Sequence, residues 1–448
     1  MYKTFLEIAV RNLVQARRRT LVLAVALSLV TMLLVLLLAL SAGLSDTMIR
    51  SATTLSTGHV NIGGFFKAKI SDVSPLVTDK TRLKALVREH VDGLDYVVDR
   101  GRGFARIISP TTSIQVGLTG IDVTQEKAFL ENIRLAPRSE YVDGGTDEVR
   151  GDVSQLAEPG AAMLFAAQAR RLSVEVGDQL SVVAETVQGA RNSTELTVVA
   201  VAKDIGFLSN FSIFVHEDAL RQVYHVGPDV TGAIHIYLND HNRSAQVMKK
   251  LRPVLEEAGY DLLAHEPVPF FTKFGTIAGQ EWTGQKLDVT TWEDEVLFLT
   301  WVLNAVDTVS FALVSILVVL IGIGVMNSMW VSVRERTPEV GTLRAIGMGR
   351  RQVLFMFLLE ALALGLLSTT LGSVLGAAVA GGLDALDWSI PSEAVQAILM
   401  SETLNLVVKP QQLILAVAAF TGLSGLAAVL PAYRASRLQP VTAIHFLG

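Results

Sequence analysis

Histidines, carboxylates, serines and glycines are the residues from which most active sites are assembled. In this 448-residue chain their spacing builds none of the familiar ones. His59, His90, His216, His225, His235, His241, His265 and His445 are scattered. No His-Glu-x-x-His pair sets two imidazoles on one helix face to hold a metal. No Gly-x-x-x-x-Gly-Lys-Ser/Thr run occurs, so the usual loop that cradles nucleotide phosphates is missing. Asp143-Gly-Gly-Thr-Asp147 is acidic and glycine-rich but lacks the ligand spacing and terminal glutamate of a calcium loop. No Gly-x-Ser-x-Gly elbow presents a nucleophile. The absence of cysteine rules out disulfides and thiolate chemistry. The sequence therefore predicts no catalytic residue, no metal site and no cofactor held by this chain.

What the spacing does support is contact chemistry, in residues 334–351. Thr337 is a residue type that caps helices, Pro338 fits a first helical position, and Glu339 favours the positive end of a helix dipole. Gly347 and Gly349 stop the helix. Val340, Leu343 and Ile346 fall on one broad face, with Arg344 beside Val340. So short a helix is marginal alone, which predicts that it docks on a partner. An ordinary basic loop is the other reading.

Half of the chain is hydrophobic and 18% is charged, a composition that predicts membrane segments beside a water-facing domain. A net charge of −5 favours no nucleic-acid partner. Four apolar stretches clear the length of about 20 residues needed to span a bilayer: residues 20–45, 308–333, 352–383 and 410–433. The first is much longer than the apolar core of a cleaved signal peptide, so it reads as an uncleaved anchor. Ahead of it, residues 1–19 carry Phe5, Ile8, Ala9, Leu13 and Ala16 at helical spacing, consistent with an amphipathic surface helix or a plain basic tail. Arginines crowd the stretches before span one, between spans two and three, and after span four. The loop 384–409 carries Asp384, Asp387, Glu393 and Glu402 against Lys409 alone. The positive-inside rule then predicts that both termini, the tail 434–448 and the 334–351 loop are cytoplasmic.

The region 46–307 lies outside on this reading. Tyr96-Val-Val-Asp, Ile114-Gln-Val-Gly-Leu, Gln179-Leu-Ser-Val-Val, Glu195-Leu-Thr-Val-Val-Ala-Val and Ala233-Ile-His-Ile-Tyr-Leu read as strands. Residues 81–90, 161–172, 217–224 and 244–259 read as helices. The expectation is an α+β domain of two lobes inserted between helices one and two of a four-helix membrane protein. Trp292, Val296, Leu299, Leu303 and Val306 recur in steps of four and three. That period predicts a stalk helix packed along an outward extension of span one through Ile49 and Leu55; a separate surface helix that breaks near Asp307 is the other reading. Ser368, Gly372, Gly376 and Ala380 form a small-residue stripe on span three, suited to close helix packing inside one chain or between subunits. Glu360 either snorkels or pairs with an arginine such as Arg344.

Glu335-Arg336, Glu339-Val-Gly-Thr-Leu-Arg-Ala-Ile-Gly347, Leu358-Leu-Glu-Ala361 and Leu430-Pro-Ala-Tyr-Arg-Ala-Ser-Arg-Leu-Gln-Pro-Val-Thr-Ala443 resemble the FtsX-like permeases of ABC transporters. That family includes MacB-like and LolC/LolE-like proteins. Gly58-His-Val-Asn-Ile62, Gly120-Ile-Asp122 and Leu172-Ser-Val-Glu-Val-Gly-Asp178 resemble the LolC/LolE-like external domain more than the MacB-like one. The resemblance implies a bacterial inner-membrane permease of the mechanotransmission type. Its partners would be an ABC ATPase dimer that binds ATP and Mg, a second permease protomer (identical or homologous), membrane lipid, and a periplasmic adaptor or lipoprotein. Glu339, Val340, Leu343, Arg344 and Ile346 would form the ATPase-coupling helix. No ATPase precedes the first span in this sequence, which favours lipoprotein extraction. MacB-like efflux of drugs, peptides or toxins and FtsX-like control of a cell-wall hydrolase are the alternatives.

Overall fold

The computed structural model describes residues 17–70, 72–399 and 403–439. The amphipathic helix expected over residues 1–19 lies almost wholly outside them, as does the end of the 434–448 tail.

The first helix, α1, is Arg17–Leu55. It runs well past residue 45, where the uncharged stretch ends, because residues 46–55 contain no glycine or proline to stop it. A folded domain follows: β1 (Val60–Lys67), α2 (Lys80–His90), β2 (Leu94–Ile108), β3 (Ser113–Ile121), β4 (Ala161–Phe165), α3 (Ala166–Leu172), β5 (Gln179–Glu185), β6 (Arg191–Ala202), β7 (Ser212–His216), α4 (Glu217–Tyr224), β8 (Ala233–Leu238), α5 (Ser244–Glu257) and β9 (Gly284–Thr291). The helix expected over 161–172 is thus corrected. Its first five residues, Ala-Ala-Met-Leu-Phe, are a fully buried strand between β6 and β7. Periodicity cannot separate a short, wholly apolar strand from a buried helix.

Two lobes share β2. Its first half pairs with β8, which continues through β1 to β9, an all-antiparallel sheet. With α2 and α5 against it, this lobe is a split β-α-β-β-α-β unit. Val60, Ile62, Leu83, Val87, Ile234, Ile236, Leu251 and Leu287 fill its core. The rest of the domain is inserted between β2 and β8. There the second half of β2 pairs with β3, and pairing continues through β7, β4, β6 and β5 back to β2, closing a six-stranded barrel. Ile107, Val116, Leu118, Leu164, Val182, Val198 and Val215 are among the side chains that fill it. Glycine is required where α4 crosses β2. A Cβ at Gly103 would lie 2.3 Å from the Tyr224 hydroxyl oxygen.

A polar knot ties the start of β1. Asn61 Oδ1 accepts from Gly58 N at 2.7 Å and lies 2.7 Å from His235 Nδ1. Asn61 Nδ2 donates to Thr57 Oγ1 at 2.6 Å. Next to it, His59 Nδ1 accepts from Leu238 N at 2.9 Å, which requires a neutral ring. Burial, and then neighbouring His241, lowers the His59 pKa to about 4. Burial, then Arg100 and Arg102, holds His235 well below its ordinary value. Unfolded imidazoles titrate near ~6.5. Below that pH the unfolded chain takes up protons that the folded chain refuses. Stability is therefore full above about pH 6.5 and falls as the pH drops toward the folded values. The domain's melting temperature in the solubilised full chain should be level from neutral pH upward and decline between about pH 6.5 and pH 4. A flat profile across that window would contradict the assignment.

The chain then makes one short turn, Trp292–Glu295, before α6 (Leu297–Glu335), α7 (Thr337–Ala345), α8 (Arg350–Asp384) and α9 (Pro410–Ser436), with a short helix, Glu393–Leu399, between the last two. The expected stalk seam is corrected at its start. Trp292 belongs to the separate turn, and Val296 has φ −121° and ψ 55°, so the long helix begins only at Leu297. The cause is local. Asp294 Oδ2 accepts from Thr291 N and Oγ1 at 2.8 and 2.9 Å. Glu295 is drawn to Thr290 Oγ1 and Phe270 N. Trp292, Val296, Leu299 and Leu303 are buried and Val306 is half-buried. Leu55, expected to pair with this seam, packs instead in the domain core with Ile121, Phe129 and Phe214.

Among the described residues, α1, α6, α8 and α9 are long and apolar enough to cross a membrane, so this is an α-helical membrane protein with a large α+β domain. The stripe Ser368, Gly372, Gly376 and Ala380 is buried within the chain. Ser28 Oγ of α1 donates to Ser368 O at 2.8 Å. A Cβ on Gly372 would lie 2.4 Å from Ser28 O, and one on Gly376 would lie 2.8 Å from Val35 Cβ. The small residues thus serve the contact of α8 with α1.

Candidate functional site

The loop between α6 and α8 is built from three local decisions. Arg336, with φ −104° and ψ 9°, breaks the helical path and occupies the cap position of α7. Thr337, expected to cap, instead sits inside the first turn and donates its Oγ1 back to Val333 O at 2.9 Å. At the other end Gly347 takes φ +110°, and Met348 N donates to Leu343 O at 3.0 Å, closing the turn. Gly349 then starts α8, its N–H held by Gln352 Oε1 at 2.8 Å.

The predicted apolar face divides in two. Val340 is 1% exposed and belongs to the membrane-helix core with Val333, Val353 and Phe357, so it is not free to meet a partner. Leu343 is 37% exposed and Ile346 is 85% exposed. On a 100° helical step the outer residues rotate away from Val340, whose face the neighbouring helices cover. Glu339, Arg350 and Arg351 are exposed around the two bare apolar residues. What the helix presents is a small apolar knob with a charged rim.

Two arginines fix the knob's position, and the predicted pairing is corrected. Glu360 of α8 pairs with Arg336, not Arg344: Arg336 Nη1 donates to Glu360 Oε2 at 2.8 Å, with the two side chains 12% and 4% exposed. Arg336 also lies 3.7 Å from exposed Glu339. Arg344 Nη1 donates to Ser436 O at 3.2 Å and to Leu438 O, at the carboxyl end of α9. A cation there satisfies carbonyls that the helix leaves unpaired. The loop helix is thus tied to α8 at one end and to α9 at the other. Sequence reasoning missed Arg336 because 24 residues separate it from Glu360 and only the tertiary fold brings them together. Among the described residues, no group of three or more histidines or carboxylates could hold a metal.

The family model described as "FtsX-like permease C-terminal" matches residues 310–440, which contain this loop and its anchoring helices. The chain is 36% identical over 135 residues to the macrolide export ATP-binding/permease protein MacB of Agrobacterium fabrum. That match covers 30% of this chain and 18% of MacB. It is 35% identical over 130 residues to the uncharacterized ABC transporter permease YvrN of Bacillus subtilis, covering 28% of this chain and 26% of YvrN. It is also 35% identical over 141 residues to the pyoverdine export ATP-binding/permease protein PvdT of Pseudomonas entomophila, covering 32% and 19%. The matches therefore span about a fifth to a quarter of the length of these relatives. Among solved structures, the extracellular domain of the ABC-type transporter YknZ aligns with 44% of this chain and 95% of its own, at 12% identity and TM-score 0.29. The periplasmic region of MacB from Actinobacillus actinomycetemcomitans aligns with 44% and 83%, at 13% identity and TM-score 0.29. Residues 310–440 thus match the FtsX-like permease C-terminal domain, and the same part of the chain is similar to the ABC-transporter permeases MacB and YvrN.

Proposed function

We propose that this chain is the permease subunit of a mechanotransmission transporter. A separate ATPase dimer, holding ATP and Mg, docks on Leu343 and Ile346 from the cytoplasm, and its closure moves the large domain on the periplasmic side of the inner membrane. The observation that carries this reading is the bare apolar tip of a short helix whose opposite face is locked into the membrane core. Such a knob suits a groove on a partner, and nothing in the 448 residues supplies a P-loop. A second permease protomer, identical or homologous, completes the assembly. The short motifs around Gly58–Ile62 and Leu172–Asp178 support lipoproteins as cargo. The macrolide and pyoverdine exporters among the relatives support efflux as the second reading.

Orientation is tested by thiol labelling, which a cysteine-free chain makes clean. Ser193, Ser392 and Thr342 are all exposed. Cysteines at Ser193 and Ser392 should react with an impermeant reagent on intact spheroplasts, and one at Thr342 should not. Labelling at Thr342 alone reverses the topology. Capture of the tagged chain from its native membrane should bring down an ABC ATPase. A crosslinked acylated protein then selects lipoprotein extraction, a small apolar compound that stimulates hydrolysis selects efflux, and a co-captured cell-wall hydrolase selects signalling.

A further inference from the structure

Arg100, Arg102 and Phe104 alternate along β2 and so share one face of the strand. All three line a cavity of about 400 Å³ inside the folded domain. That size falls in the range of about 300–1,000 Å³ typical of small-ligand sites. Arg100 is fully engaged there: its Nε and Nη2 donate to Glu126 Oε1 and Oε2 at 2.6 and 2.8 Å, so the two charges cancel. Arg102 is different. It is only 8% exposed, and its Nη1 is buried with no hydrogen-bond partner. Its guanidinium lies over the rings of Phe270 and Phe271, 5.1 and 6.0 Å from their centroids.

A guanidinium cannot shed its proton, and burying it without a charge-bearing acceptor is costly. Glu295 also lines the cavity but is committed elsewhere, accepting from Thr290 Oγ1 at 2.6 Å and from Phe270 N at 3.2 Å. Burial, moreover, pushes its carboxyl toward the neutral form. The remaining wall is aromatic. Phe104, Phe211, Phe271 and Phe298 line the cavity and are each about half-exposed. A buried cation that feels Glu295 only through its charge, and has no hydrogen-bond partner at Nη1, thus sits at one side of an aromatic chamber open to solvent.

We propose that this cavity binds a single-chain amphiphile with an anionic head. The head, a carboxylate or phosphate, accepts from the Arg102 guanidinium, and the hydrocarbon lies on Phe104, Phe211, Phe271 and Phe298. The volume leaves no room for a lipid with two full acyl chains. The charge complementarity selects an anion over an alcohol or an amine. This goes beyond the transporter reading and stands whether or not an ATPase docks on Ile346.

The test uses the full chain in nanodiscs of zwitterionic lipid and three ten-carbon probes, decanoate, decyl phosphate and decanol, each with a terminal photoreactive diazirine. Mass spectrometry locates the label. At least one of the two anions should label peptides holding Phe104, Phe211 or Phe271 saturably, with decanol weaker by roughly tenfold or more. Whichever anion labels more strongly identifies the source as a fatty-acid-like carboxylate or a lysolipid-like phosphate. Arg102→Gln should lower anion labelling by a similar factor while leaving decanol unchanged, and Arg102→Lys should restore part of it. Phe211→Ala, at the exposed mouth where the fold is not at risk, should weaken labelling several-fold. Equal labelling by decanol, label confined to the membrane helices, or full anion labelling in both Arg102→Gln and Phe211→Ala would overturn the proposal.

Discussion

Ile346→Glu is expected to strip the ATPase from this permease and abolish transport while leaving the chain folded. Ile346 is 85% exposed, so placing a carboxylate there disturbs no internal contact. On the docked face the same change removes an apolar anchor and buries a charge. Loss of one central anchor at an interface costs about 2 kcal/mol or more, and each ~1.4 kcal/mol is tenfold in affinity. Binding should therefore fall by at least ~30-fold, with Leu343→Ala giving a smaller loss of the same kind. Val340→Ala is the informative contrast. Its side chain belongs to the membrane-helix core, so it should lower the melting temperature and leave ATPase affinity intact in the fraction that folds. Co-purification of the ATPase with each variant reads the first effect, and thermal denaturation in detergent reads the second. If Ile346→Glu retains the ATPase and normal transport, the α7 knob is not the coupling site.

The second large effect belongs to the Arg336–Glu360 pair. Both side chains are largely buried and their contact is 2.8 Å. Glu360→Leu leaves the Arg336 guanidinium facing only the exposed carboxylate of Glu339, 3.7 Å away. Removing one partner of a buried pair costs about 3–5 kcal/mol, whereas replacing both with apolar residues of similar volume is often neutral. Glu360→Leu should therefore lower the melting temperature by several degrees, and adding Arg336→Met should recover most of it. The recovered double variant separates two roles. If the pair also fixes α7 against α8, the double variant will be stable yet poorly coupled, with ATP hydrolysis no longer stimulated by cargo. A single variant as stable as the wild type would show that the pair contributes nothing.

Much of this architecture was legible in the chain because its causes are local. β2, β3, β5, β6 and β8 announce themselves by alternating β-branched residues, and the four spans by uncharged length. The misses have physical causes too. β1 carries Gly63 and Gly64, and β9 carries Gln285, Lys286 and Asp288, so neither reads as apolar. Asp288 is tolerated inside only because Lys273 Nζ lies 2.7 and 2.9 Å from its carboxylate. Helix ends cannot be read where nothing in the sequence breaks the helix, as at residues 46–55. In the candidate site, the existence of the α7 helix and its glycine stop could be read. The facing of Val340 could not, because it depends on which side the neighbouring helices cover. Arg100-Gly-Arg102-Gly-Phe104 carries a signal in the sequence: two cations and a ring alternating on one strand face.

The pairing of β1 with β9 has a mechanical side. Val60 opens β1 and is partnered by Thr291, which closes β9. The chain therefore enters and leaves the folded domain at the same rung of one ladder. Forces pulling residues 60 and 291 apart would peel that ladder one rung at a time, the weak direction for a sheet. Forces pulling both the same way would load no rung and would carry the domain as one body. Asn61 with its bonds to Gly58 and Thr57, together with the bond from Trp292 N to His59 O at 3.1 Å, sits at the rung where peeling would begin. A domain so tethered would pass on what its two tethers do in common and resist, up to the strength of that latch, what they do in opposition.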